Sequence, residues 1–153
     1  TIAEDANSPA APVVLAAGST VVFSYAMRNT GSDPLDGVTL VDDAGTVGDP
    51  SDDFAPAAVT VTAGGKVYNT GDNNKNGLLD RNETWLYSAS GIVGAGVYTN
   101  YATASAVNAR SGVVVLDDDP ANVFGAVAKI DVEKAVNAAD PAQRTAAATG
   151  RCA

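Results

Sequence analysis

Twelve residues from Asp72 to Glu83, DNNKNGLLDRNE, carry oxygen-bearing side chains at the spacing of a calcium loop. Asp72, Asn74, Asn76 and Asp80 stand at loop positions 1, 3, 5 and 9, Gly77 at position 6 where the backbone turns sharply, and Glu83 at position 12. In that pattern Asp72, Asn74 and Asn76 each give one oxygen and Leu78 gives its backbone carbonyl. Asp80 binds directly or through water, and Glu83 gives both carboxylate oxygens. About six or seven hard oxygens select Ca2+ over magnesium or zinc. A polar turn between strands uses the same residue types, but it has no reason to place a glutamate at the twelfth position.

Other clusters carry weaker chemistry. Asp42-Asp43, Asp52-Asp53 and Asp117-Asp118-Asp119 read as solvated loop acids; a second cation site or a carboxylate pair for glycoside hydrolysis is the sharper alternative. The chain has no His, the commonest general base and zinc ligand, and no G-x-S-x-G nucleophile motif. No enzyme activity is expected. Nine basic residues against 18 acidic ones leave a net charge of -9, which disfavours nucleic acid and anionic membranes as partners and favours cations. No apolar run approaches the roughly 18 residues of a membrane span, so no membrane insertion is expected. The single Cys152 cannot form an internal disulfide. Calcium loops with dissociation constants of about 10⁻⁴ to 10⁻³ M fill only outside the cell, so the loop implies an extracellular setting.

The elements that must hold this loop are strands. With 15 Gly and 7 Pro among 153 residues, the composition favours short strands joined by turns, and helices should be scarce. Residues 1–17 read as an extended lead-in, 18–126 as the folded domain, and 127–153 as a C-terminal strand and tail. Val21, Phe23, Tyr25 and Met27 alternate with smaller or polar residues, predicting a strand with one core face. Further strands are predicted at Val38–Val41, Ala58–Thr62, Lys66–Tyr68, Thr84–Ser88, Val97–Val107, Gly112–Leu116 and Val127–Val136, with Asp117 to Pro120 ending the seventh. Trp85 and Tyr87 are read onto opposite faces of their strand, one of them packing in the core. The calcium loop therefore joins two strands rather than two helices. About seven or eight strands with regular turns predict an all-β, immunoglobulin-like antiparallel sandwich, with a closed barrel as the other candidate.

Four stretches resemble the repeated immunoglobulin-like domain of bacterial and archaeal surface proteins. They are Gly18–Tyr25 with Arg28-Asn29-Thr30-Gly31, Val38–Asp43, Asn76–Asp80 through Trp85, and Tyr98–Thr103. Asp118–Gly125 is similar to the usual end of such a repeat. The resemblance spans Gly18 to about Val136 and implies a structural or adhesive module of the extracellular envelope without catalysis. In such arrays a strand similar to Lys129–Asn137 opens a repeat, whereas here it closes the chain, and Ala3–Asn7 is similar to the segment that comes after that strand. The module thus reads as lacking its own first strand and carrying a spare one.

A sandwich without an edge strand exposes backbone groups and an apolar groove, which invites strand addition. If the spare strand enters another copy, a head-to-tail homopolymer results, because a heterologous contact that does not close continues indefinitely. Folding back into its own domain, or an arbitrary slice of an array, are the competing readings. Ile130 and Val132 share a face of this strand with Lys134. Lys134 and Asn100 invite comparison with the Lys–Asn isopeptide bonds of some surface adhesins, which need a buried carboxylate between the two. Asn100 is read instead as bonding to neighbouring backbone. The sequence thus points to an extracellular calcium-binding subunit of a surface filament. The alternative is an adhesin or carbohydrate-binding module, which would need an exposed aromatic platform.

Overall fold

The computed structural model describes residues 6 to 135. Readings that fall on 1–5 and 136–153, including Ala3–Asp5, Val136 and Cys152, lie outside the described residues. Nine strands and no helix are found among those described: β1 Val13–Ala16, β2 Thr20–Arg28, β3 Leu35–Asp42, β4 Ala57–Ala58, β5 Thr60–Ala63, β6 Lys66–Asn69, β7 Thr84–Ile92, β8 Gly96–Asn108 and β9 Val114–Ala126. They form a four-stranded sheet ordered β1-β9-β8-β3, a three-stranded sheet ordered β2-β7-β4, and the hairpin β5-β6. Ladders are antiparallel except β1 with β9, which runs parallel from Val13↔Val123 to Ala16↔Ala126. Part of the predicted lead-in is therefore a strand.

The chain is consistent with a two-layer β-sandwich. Val21, Phe23, Tyr25 and Met27 alternate with exposed neighbours along β2, as a one-sided strand requires. Tyr98, Asn100, Ala102, Ala104 and Ala106 form the matching inward row of β8. Phe23 and Tyr98 meet across the layers with ring centroids 6.3 Å apart, and the Tyr25 hydroxyl donates to Asp42 at 2.6 Å. Few apolar side chains are fully buried among the described residues: Leu40, Leu79, Val93, Ala106 and Val123. Val21 to Met27 stay only half-buried, because a cleft of about 1550 Å³ opens beside them.

Three predicted strands are longer or placed differently. The strand predicted to stop before Asp117 continues through Asp117-Asp118-Asp119-Pro120 to Ala126 as β9. Proline is tolerated there because Asn122 N–H, two residues on and pointing the same way, leaves the ladder to donate to Ala6 O at 3.0 Å. The missing N–H of Pro120 thus falls on the outer side of β9, where residues 114–121 have no strand partner among those described. Trp85 and Tyr87 pair with Met27 and Tyr25, and, being two apart, lie on one face rather than two. Val127 to Ala135 form no strand: they leave the sheet with Ile130 and Val132 at 93% and 87% exposure.

Candidate functional site

The loop Asp72–Glu83 closes the space between β6 and β7. Its base is fixed by Asn69, whose amide mimics a strand partner: Nδ2 donates to Leu86 O at 2.9 Å, and Oδ1 accepts from Leu86 N at 3.0 Å and Gly71 N at 3.0 Å. Gly71 is required by close approach, since a Cβ at that position would lie 1.7 Å from Thr84 O. Within the loop Asp72 is fully buried, and its carboxylate accepts from Asn76 N at 3.3 Å and Gly77 N at 3.0 Å. Asn74 Oδ1 accepts from Asn76 N at 3.0 Å, and Asn76 Oδ1 from Leu78 N at 2.8 Å. These successive side-chain-to-backbone bonds wind the segment into a tight coil. Gly77 takes a φ of 81°, which favours glycine, at the sixth position.

The far end folds back over this coil. Glu83 is buried and accepts from Asn73 N at 2.8 Å through Oε1 and from Asp80 N at 3.1 Å through Oε2, so its two oxygens tie the loop's beginning to its end. Asn74 and Asn76 both donate through Nδ2 to Asp80 Oδ2, at 2.7 and 2.8 Å. Lys75 Nζ donates to the backbone oxygen of Asp72. All five candidate side chains are thus drawn into one loop, but their carboxylates are engaged with N–H donors. Among the described residues no group of three or more His, Cys, Asp or Glu side chains is gathered as a metal cluster. The donor chemistry still suits a hard cation: every predicted ligand is an oxygen, and two of the six are amides and one a backbone carbonyl.

The loop is joined to the sandwich at its eighth residue. Leu79, 2% exposed, exchanges both backbone bonds with Leu35, at 3.1 and 2.8 Å, and its carbonyl also accepts from Asn29 Nδ2 at 2.9 Å. Anything that orders the loop therefore acts on the β2–β3 turn and on the core.

A second polar group lies between the layers, and the sequence reading missed it. Asp42, read as a solvated loop acid, is the last residue of β3 and fully buried, because the alternation that buries Leu40 also turns Asp42 inward. Its Oδ1 accepts from Ala44 N at 3.0 Å and its Oδ2 from the Tyr25 hydroxyl at 2.6 Å. Asn100 does not bond to neighbouring backbone as expected. It is 2% exposed, and its Nδ2 lies 2.8 and 2.7 Å from the two Asp42 oxygens. Its own Oδ1 is buried without a partner. Burial raises the pKa of Tyr25, the hydrogen bond to Asp42 adds to the effect, and the Tyr98 hydroxyl is pushed up to about 12, chiefly by burial. The signal available in sequence was the inward alternation itself, which places Tyr25, Asn100 and Asp42 on facing rows.

These three residues line the open cleft, together with β2 and the half of β9 that lies beyond β1. On β9 the pairing Ala102↔Asp119 and Ala104↔Asp117 puts two more aspartates on the face shared with Ala102 and Ala104. Asp43, Asp49, Asp53, Asp117 and Asp118 also line a shallow depression with Tyr101. Comparison with protein-family models, with curated proteins and with solved structures finds no match.

Proposed function

We propose that the chain is a calcium-stapled structural subunit of an extracellular filament, in which the C-terminal segment of one copy completes the sandwich of the next. The observation that carries this reading is a pair of complementary features in one molecule. β2 is a nine-residue strand whose only strand partner among the described residues is β7, and its inward row borders the open cleft. The nine residues 127–135 belong to no strand, are exposed throughout and present Ile130 and Val132 to solvent. An unpaired edge beside apolar side chains is a template for an added strand. Strand orders β1-β9-β8-β3 and β2-β7-β4 support an immunoglobulin-like arrangement whose first strand, beside β2, is supplied from outside.

Chain direction favours donation over self-completion. Ala17 N donates to Ala126 O at 2.9 Å, so the tail leaves the body at the end where β2 begins. Folded back onto its own β2, it would run parallel and spend its first residues on the reversal. An antiparallel fit must enter at the Arg28 end, about 30 Å away for nine residues, and a tail from another copy can do that. Charge is complementary as well. Lys134 shares the face of Ile130 and Val132, and the receiving cleft carries Asp42, Asp117 and Asp119.

Calcium is the staple in this reading. The residues Asp72, Asn74, Asn76, Leu78, Asp80 and Glu83 would hold it, and its charge would replace the amide contacts now converging on Asp80. Binding to the folded state alone stabilises by about 2.7 kcal/mol when the free ion is a hundredfold above its dissociation constant. Melting the purified chain with calcium and with excess chelator tests the staple, and an unchanged midpoint would sink it. Negative-stain microscopy and size-exclusion chromatography test assembly; a monomer at high concentration and saturating calcium would sink strand donation.

A further inference from the structure

The Asp42–Asn100 pair is an expensive arrangement for a core to keep. A carboxylate with no exposure lies against an amide whose oxygen has no partner, and among the described residues no salt bridge reaches that carboxylate. Buried charges and orphaned acceptors are costly unless something compensates them. Both groups border the cleft that receives the tail of another copy if strands are donated. The side-chain period of a strand then matters: a segment that turns Ile130 and Val132 into the core turns Lys134 inward too. Lys129, Asp131 and Glu133 fall on the opposite face.

We propose that Lys134 of the donated strand reaches Asn100 of the receiving copy and forms an amide bond with its side chain, with Asp42 as the proton carrier. This inference rests on strand donation. The Lys134 ammonium passes a proton to the Asp42 carboxylate, and the freed amine attacks Asn100 Cγ. Asp42, with both oxygens within 2.8 Å of Nδ2, returns that proton to the leaving nitrogen as the Cγ–Nδ2 bond breaks. The second amine proton follows the same route. An ammonium ion leaves, Asp42 is a carboxylate again, and no oxidant or other reactant is needed. Tyr25, donating to Asp42 Oδ2 at 2.6 Å, is a positioning residue that keeps the carboxylate turned toward Nδ2.

The test uses filaments of the full chain, denatured in hot detergent and measured by intact mass and by sequencing of cross-linked peptides. The expected result is a ladder of resistant multimers, each link lighter by about 17 Da, the mass of ammonia, and joining Lys134 to Asn100. Lys134→Arg keeps the charge, lies on the exposed tail where it cannot unfold the receiving body, and should give filaments that dissolve to monomers of full mass. Wild-type filaments that dissolve to full-mass monomers would overturn the bond and leave strand donation standing. Persistence of the mass loss in K134R would overturn the assignment to Lys134. A chain that never assembles yet carries the loss internally would overturn the intersubunit bond and strand donation together.

Discussion

Glu83 reaches across the whole loop, one oxygen on Asn73 N and the other on Asp80 N, so it closes the coil before any ion is considered. Replacing it with Gln removes the charge and one acceptor while keeping the length. Calcium affinity measured by calorimetry should fall roughly tenfold or more, about 1.4 kcal/mol, and the stabilisation by calcium should shrink with it. Tyr25 and Tyr98 give a separate signature at high pH. Both hydroxyls have folded pKa values raised above the ordinary 10.0, so their contribution is complete below that pH and is lost as pH climbs through the folded values, about 12 for Tyr98. Stability to denaturant should therefore fall from pH 10 upward, while the Tyr98 hydroxyl of the folded chain ionises only at about 12. A flat profile there would mean that these hydroxyls are not held as described. The loop residues were legible in sequence because a twelve-residue pattern is read from spacing alone. Asp42 was not, since the pair Asp42-Asp43 after Val41 looks the same whether the strand ends before it or on its first residue.

At the level of elements, the β6–β7 connection depends on one backbone approach and one apolar anchor. Gly71→Ala would force a Cβ onto Thr84 O, 1.7 Å away in the native geometry, and backbone must move to relieve it. Hydrogen exchange should show the first turn of the loop and the start of β7 opening together, with a stability loss above about 2 kcal/mol. Leu79→Ala should cost about 2 to 5 kcal/mol by denaturant melting and should also weaken calcium binding, because Leu79 links the loop to Leu35. The strand at β2 and the length of β8 followed from alternation in the sequence. β9 did not, because three aspartates and a proline signal a turn wherever local preference decides. Here the ladder to β8 overrides it, and the missing N–H falls on the outer side, beyond the reach of β1. The split of Ala57–Ala63 into β4 and β5 has a similar cause. Val59 N donates to Leu86 O while Val59 O accepts from Thr70 N, so one residue divides its backbone between two neighbours.

For the whole molecule, the open cleft and the outlying tail make opposite predictions for the two halves. A chain ending after Ala126 should stay monomeric, and a synthetic peptide of residues 127–136 should raise its melting temperature by filling the cleft. No shift at saturating peptide would mean that the tail does not fit. The sandwich-like layering was legible because strand periods are local. The buried Asp42–Asn100 pair was not legible, because it forms between β3 and β8, neighbours in one sheet whose pairing the order along the chain does not show. The short parallel ladder of β1 on β9 has one more consequence. Its four residue pairs lie side by side with the chain entering at Val13 and leaving at Ala126. Tension applied to the two chain ends pulls these strands past one another in opposite senses, so their hydrogen bonds bear load together instead of opening in turn. The body is therefore built to resist stretching along the line that joins Val13 to Ala126.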